Sequence, residues 1–286
     1  MSPRDLTPSH HAGMSNSNET RDDTHTDYQA AKRTAQAAMQ RGVWQDRFER
    51  RFEPLSNRQM RCDLPREAMD AIAHGKHYAS YRGLTMAKDP FDRVLYETLF
   101  FELQPRTVVE LGAYTGASAM WMADVLKTFG IDGRVLTVDL DLELVEEAAR
   151  RHPGVEFVEG DLNAIEEVLP AGLLAEMDGP VILIDDAHVN VAEVYEHFER
   201  HALRSGDYLI IEDTMPWIPA TFGVSSADSG EGKSTEESAP DWGPWKWDEV
   251  LAFFQRCESD YVVDRYYTDF FGYNATWNWN GFLRKS

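Results

Sequence analysis

The run Val108-Val109-Glu110-Leu111, followed by Gly112-Ala113-Tyr114-Thr115-Gly116-Ala117-Ser118, constrains this chain more than any other segment. A short apolar stretch ends in an acid and a glycine-punctuated turn, then opens an amphipathic segment. A strand that feeds a helix through such a turn makes a pocket of the nucleotide-binding type. Gly112 and Gly116 let the backbone come close to a ligand, and the free amides that start the helix favour its polar groups. The dinucleotide pattern G-x-G-x-x-G is not met, because Tyr114 stands at the middle glycine position. That argues against a pyrophosphate pressed onto the turn.

Around this motif the hydrophobic pattern has an α/β rhythm. Phe91, Val94, Leu95, Leu99 and Leu103 recur at helical spacing up to Pro105, a helix leading into the first strand. Strands are predicted at about 107–111, 134–139, 155–158, 180–185 and 207–212. Helices at about 116–129, 142–152, 162–169 and 189–204 alternate with them. Near-continuous apolar strands such as Val181-Ile182-Leu183-Ile184 suit a parallel sheet covered on both faces. The predicted fold class is therefore α/β, a doubly wound Rossmann-like sheet with its ligands at the carboxyl ends of the strands.

The rest of the chain is appended to that domain, predicted over 89–286. Residues 1–27 are rich in Ser, Asn, Asp, Thr and His and offer almost nothing to bury, so a disordered tail is expected. Residues 28–88 are expected to form an N-terminal helical segment, charged over 28–65 and suited to oligomer contacts. Residues 224–241 hold hardly any apolar residue, and a loop of that length beside the strand ends reads as a flexible lid or a passive insert. Beyond it, a helix is predicted over 245–257 and strands over 261–268 and 281–285.

Composition excludes several partners. A formal charge of -21 repels nucleic-acid phosphates and anionic lipid surfaces, and no basic patch offsets it. No apolar run approaches the roughly 18 residues of a membrane span, and no hydrophobic signal core opens the chain, so a soluble, cytoplasmic protein is expected. Cys62 and Cys257, without C-x-x-C spacing, point to neither a disulfide framework nor a thiolate metal site.

Acids stand where ligands are expected. Asp139, at the end of the second strand of the rhythm, can accept hydrogen bonds from both hydroxyls of a ribose, whereas Asp141 suits a helix cap. The fourth strand runs into Asp185-Asp186-Ala187-His188 and the fifth into Glu212-Asp213-Thr214. If these strands are neighbours, about 4.8 Å apart, carboxylates at their ends can meet at one cation. Hard oxygen ligands suit Mg2+ at about 2.1 Å. The segment 266–281 interleaves aromatics with amides; it reads either as buried strand packing or as a wall for a sugar or polycyclic acceptor, with Trp217 a further wall candidate.

Glu110-Leu-Gly-Ala-Tyr-Thr-Gly-Ala-Ser118 resembles the first motif of the catechol O-methyltransferase branch of S-adenosylmethionine-dependent methyltransferases. Asp185-x-x-His188 followed by Glu212-Asp213 resembles that branch too, and more closely the antibiotic and sugar O-methyltransferases grouped with cephalosporin hydroxylase and rhamnosyl O-methyltransferase. The resemblance covers residues 83–285. It implies a seven-stranded, mostly parallel sheet closed by a C-terminal antiparallel hairpin. It also implies S-adenosylmethionine and Mg2+ as cofactors, a small hydroxylated acceptor and a homo-oligomer. The turn residues Gly112, Tyr114, Gly116 and Ser118 fall on the cofactor site, with Glu110 orienting the turn and the amino-acid part of the cofactor. Gly160 and Asp161 border the adenine, and Asp161 also suits a helix cap. Asp185 falls at the cofactor and, with Glu212 and Asp213, on the metal ligands; the extra acid Asp186 leaves the ligand at that corner open between the two. His188 falls where catechol enzymes carry a lysine near the acceptor hydroxyl, and is the candidate base beside Asp185, its alternative being a helix cap. The expected activity is O-methyl transfer to a small polar metabolite in natural-product tailoring. The alternatives are an accessory component of a hydroxylation system and a noncatalytic cofactor-binding assembly module.

Overall fold

The structure, a computed structural model, describes residues 19–38, 49–187, 189–215 and 244–286. The chain divides into two compact units, Met1–Glu49 and Arg50–Ser286. In the first unit a helix spans Glu19–Ala38, beginning inside the stretch expected to be disordered. Its second half is rich in Ala, Gln, Lys and Arg, which favour helix, and none of its described side chains is buried.

The second unit is built on an eight-stranded sheet. Its strands are β1 (Phe52–Glu53), β4 (Thr107–Leu111), β5 (Arg134–Asp139), β6 (Val155–Glu159), β7 (Val181–Asp185), β8 (Tyr208–Ile211), β9 (Tyr261–Asp264) and β10 (Phe282–Lys285). β2 (Ser80–Tyr81) and β3 (Leu84–Thr85) form a separate small hairpin. The order in the large sheet is β1-β9-β10-β8-β7-β4-β5-β6. β4 to β8 pair in parallel, whereas β10 pairs antiparallel with both β8 and β9. The strand count exceeds the expected seven because Phe52–Glu53 pairs with β9, Phe52 opposite Asp264. These residues were expected to be helical. Here Arg51 fixes the chain to the sheet edge through Asp264, at 2.7 Å, and Glu102.

Side chains pack on both faces of the sheet. On one face Leu183 of the sheet packs with Val194 and Phe198 of the helix Val191–His201 and Phe253 of the helix Pro244–Cys257. On the other Ile184 of the sheet packs with Leu95 and Leu99 of the helix Pro90–Leu103 and Trp121 of the helix Ala117–Thr128. All five residues of β7 are buried, as expected for a central parallel strand. The helix predicted over 142–152 shortens to Glu147–Arg150. The Asp141 carboxylate takes the Glu143 amide at 2.6 Å, and the Arg150 guanidinium takes the carbonyls of Leu142 and Val145, so the preceding turn needs no helical bonds. The strand predicted over 261–268 ends at Asp264. Its carboxylate accepts from the Tyr266 amide at 3.0 Å and caps a helical turn, Arg265–Thr268.

The chain leaves β4 towards β5 and β6, then returns to β7 on the other side of β4. That reversal makes a crevice at the carboxyl ends of β4 and β7, where open α/β sheets bind ligands. Among the described residues no helix is long and apolar enough to cross a membrane.

Candidate active site

The turn after β4 is held by its own neighbours. Gly112 has φ +102°, and a Cβ there would lie 3.0 Å from the backbone carbonyl of Asp186. Gly116 has φ +78°, and a Cβ there would lie 2.8 Å from that of Ala149. Sequence reasoning assigned these glycines to ligand approach, but the protein's own close packing already requires them. At Gly160 likewise, a Cβ would fall 2.5 Å from Val168. The Asp139 carboxylate anchors the turn, its Oδ2 accepting from the amides of Ala113 at 2.8 Å and Tyr114 at 3.0 Å. Its Oδ1 has no hydrogen-bond partner among the described residues and can accept from a ligand hydroxyl. Tyr114, at φ +47°, is half exposed over the turn. Asp161 takes the cap role, its Oδ1 accepting from the Asn163 amide at 2.9 Å.

Glu110 is fully buried under the turn, with Ser118 and Thr137 beside it, and its Oε2 accepts from the Thr137 hydroxyl at 2.9 Å. Burial pushes its pKa up to about 7 against the opposing pull of Lys88 and the two hydroxyls. Its Oε1 is buried without a hydrogen-bond partner among the described residues. A carboxylate oxygen left in that state fits the cationic amino group of an amino-acid-like ligand.

The acids after β7 diverge. Asp185 is buried, with its Oδ2 accepting from the Tyr195 hydroxyl at 2.5 Å and its Oδ1 from the Ala187 amide at 3.3 Å. It is therefore engaged with the helix on one face of the sheet. Asp186, the next residue, faces the other way, and its Oδ2 accepts from the Lys88 ammonium at 2.7 Å. The same ammonium donates to Glu212 Oε2 at 2.5 Å, while the Tyr96 hydroxyl donates to Glu212 Oε1. Successive side chains at a strand end point to opposite faces, so only one of two adjacent acids can meet Glu212. Asp186, not Asp185, shares the Lys88 ammonium with Glu212. Asp213, at φ +53°, lies beside Lys76, Oδ1 to Nζ 3.4 Å, and its amide donates to Asn278 Oδ1 at 3.1 Å.

Burial pushes Glu212 up to about 8, aided by the charge of Asp186 and opposed by Lys88 and Tyr96. Burial alone would lower the Lys88 ammonium, but the charges of Asp186, Glu212 and Glu110 outweigh it and hold Lys88 well above its usual range. Among the described residues no three carboxylate, imidazole or thiolate groups surround a single point. Two carboxylates do converge, on an ammonium that stands in for a cation. Their hard oxygens suit Mg2+, with Asp213 adjacent in sequence to Glu212.

Lys88, Tyr96 and Lys76 escaped the sequence reading. Asp89 caps the helix Pro90–Leu103 through the amides of Phe91 and Asp92, and this start places Lys88 just ahead of the helix and Tyr96 two turns along it. The Asp89-Pro90 helix-start signal was visible, but nothing local marks the lysine before it as a partner of distant acids. Of the two readings of 266–281, buried packing prevails: Tyr266, Tyr267, Trp277 and Trp279 are all buried. The amides there serve the fold too, since Asn274 Nδ2 donates to the carbonyls of Gln59 and Arg61. A cavity of about 370 Å³ lies at the opposite ends of the strands, lined by Arg51, Pro180, Asp207 and Arg284, away from these acids. His188, Trp217 and the segment 224–241 lie outside the described residues.

The family described as Rhamnosyl O-methyltransferase/CmcI matches residues 75–286. A rhamnosyl O-methyltransferase of Mycobacterium bovis is 29% identical over 208 residues, covering 71% of this chain and 77% of that protein. Its counterpart in Mycobacterium leprae is 29% identical over 165 residues, covering 55% and 71%. A CmcI structure with Mg and SAM superimposes with a TM-score of 0.54 at 29% identity, covering 86% of each chain. An apo-structure of CmcI gives 0.53 at 30% identity, covering 73% of this chain and 76% of the other. Fold and relatives together define a methyltransferase of the S-adenosylmethionine-dependent class. Within that class, the chain belongs to the rhamnosyl O-methyltransferase/CmcI family.

Proposed function

We propose that the chain transfers the methyl group of S-adenosylmethionine, with Mg2+, to a hydroxyl of a small polar metabolite such as a sugar or polyketide. The convergence of Asp186 and Glu212 on one cation, beside the turn anchored by Asp139, carries this reading. The CmcI structure with Mg and SAM supports the cofactors, and the rhamnosyl relatives support a sugar-like acceptor.

When bound, the sulfonium supplies an electrophilic methyl carbon and the divalent ion supplies Lewis acidity towards the acceptor hydroxyl. The chain's own share is positioning, because methyl transfer is an in-line displacement that needs donor and acceptor held in contact. Asp139 accepts the ribose hydroxyls through Oδ1 while Oδ2 keeps the turn in place. Glu110 accepts the cofactor's amino group. Asp186, Glu212 and Asp213 are the residues that would hold the ion, and an imidazole nitrogen of His188 accepts the acceptor's proton.

Methyl-donor turnover against a panel of hydroxylated metabolites, with Mg2+ and with EDTA, tests the reading. Turnover should require both donor and metal. Undiminished activity in EDTA would remove the ion, and calorimetry showing no adenosyl ligand would remove the donor.

A further inference from the structure

We propose that the Lys88 ammonium occupies the divalent ion's own seat and must leave it for metal to bind, so that Lys88 sets the metal affinity of the acid cluster. This rests on the Mg2+ reading above and adds a regulator inside the same site.

The geometry leaves no room for both cations. Lys88 Nζ lies 2.7 Å from Asp186 Oδ2 and 2.5 Å from Glu212 Oε2, between the two oxygens that a divalent ion would share. Magnesium takes carboxylate oxygens at about 2.1 Å, so an ion bridging this pair would stand almost where the nitrogen stands. The Tyr96 hydroxyl donates to the other Glu212 oxygen, Oε1, so the oxygen Glu212 turns towards Asp186 is the one that Lys88 holds. Two cations in contact with the same oxygens would also repel each other strongly in a buried site.

The exchange needs no movement of the sheet. Asp186 and Glu212 are fixed at the ends of β7 and β8, which are paired in register from Ile182 with Tyr208 to Asp185 with Ile211. Lys88 comes from a different element, the residue before the Asp89 cap, on a flexible four-carbon stem. Its withdrawal is a change of side-chain rotamer. Without metal, the same ammonium offsets the charge of buried Glu212 and of part-exposed Asp186. Lys88 is therefore a positioning residue for the metal-free protein and a competitor for the ion.

The full chain and its Lys88→Met variant, titrated calorimetrically with MgCl2 and MnCl2 in the absence of donor, distinguish the outcomes, with thermal melts run in parallel. Lys88→Met should bind either ion at least about tenfold more tightly than the wild type and gain more in Tm from it. Lys88→Arg, which keeps a cation, should not. Equal or weaker binding by Lys88→Met overturns the competition while leaving the metal site standing. Binding by neither protein overturns the metal reading itself, and this proposal with it. If Lys88→Met does not fold without metal, recovery of its melting transition with added Mg2+ supports the competition. Failure to recover, both there and in the milder Lys88→Gln, overturns it.

Discussion

Neutralising the two neighbouring acids one at a time separates their roles. Asp186→Asn removes a charge 2.7 Å from Lys88, where a pair of unit charges attracts by about 6 kcal/mol at an effective dielectric of about 20. A divalent ion at that place loses about twice as much gross attraction, partly offset by the relief of desolvation. Its affinity should therefore fall by at least about a hundredfold. Asp185→Asn instead turns the Tyr195 hydrogen bond from charge-assisted to neutral and sets an amide against either Tyr195 or the Ala187 amide. The expected cost is about 1–2 kcal/mol of stability, a Tm drop of roughly 2–8 °C for a domain of this size, with metal affinity unchanged. Isothermal titration with Mn2+, a thermal melt and methyl-transfer turnover on both variants decide the matter. If Asp185→Asn loses the ion while Asp186→Asn keeps it, the assignment of the corner to Asp186 is wrong.

Other outcomes follow from the same residues. Glu110 has its pKa raised from 4.5 to about 7, so it binds more protons folded than unfolded; its contribution of about 3 kcal/mol is present below pH 4.5 and lost as pH rises through 7. Urea midpoints of the donor-free protein should therefore slope downward between pH 5 and 8 by that amount, and an equal slope in Glu110→Gln would refute the attribution. Asp139→Ala removes both turn contacts and the proposed ribose acceptor, and should weaken S-adenosylmethionine binding by at least about tenfold in calorimetry. An unchanged isotherm takes Asp139 out of the ribose site. His188→Ala should slow turnover most near neutral pH, and a uniform loss across pH would demote the imidazole to scaffold.

The sheet was legible because its signal is redundant: apolar strands, helical spacing and turn glycines all repeat from β4 to β8. The pairing of Phe52 with Asp264 was not, because a two-residue strand has no period to read and its partner lies far along the chain. The acids of the site were legible as strand-end residues, but the choice between Asp185 and Asp186 was not. Adjacent positions differ only in the face they project to, and that is fixed by where β7 ends and by Tyr195 waiting on one side. Lys88 was hidden for a different reason. Its meaning depends on two carboxylates 98 and 124 positions away, and local composition around it reports only a helix start.

β1 has a practical corollary for anyone trimming this protein. A chain begun at 89, where the sequence rhythm starts, would leave the β9 rim bare and leave the Asp264 carboxylate, fully shielded in the intact protein, without its guanidinium partner. An uncovered rim of that kind recruits strands from other molecules, so such a fragment should precipitate while one begun at Arg50 stays in solution. The smallest autonomous piece is thus set by a hem of a few residues, well upstream of the first recognisable motif.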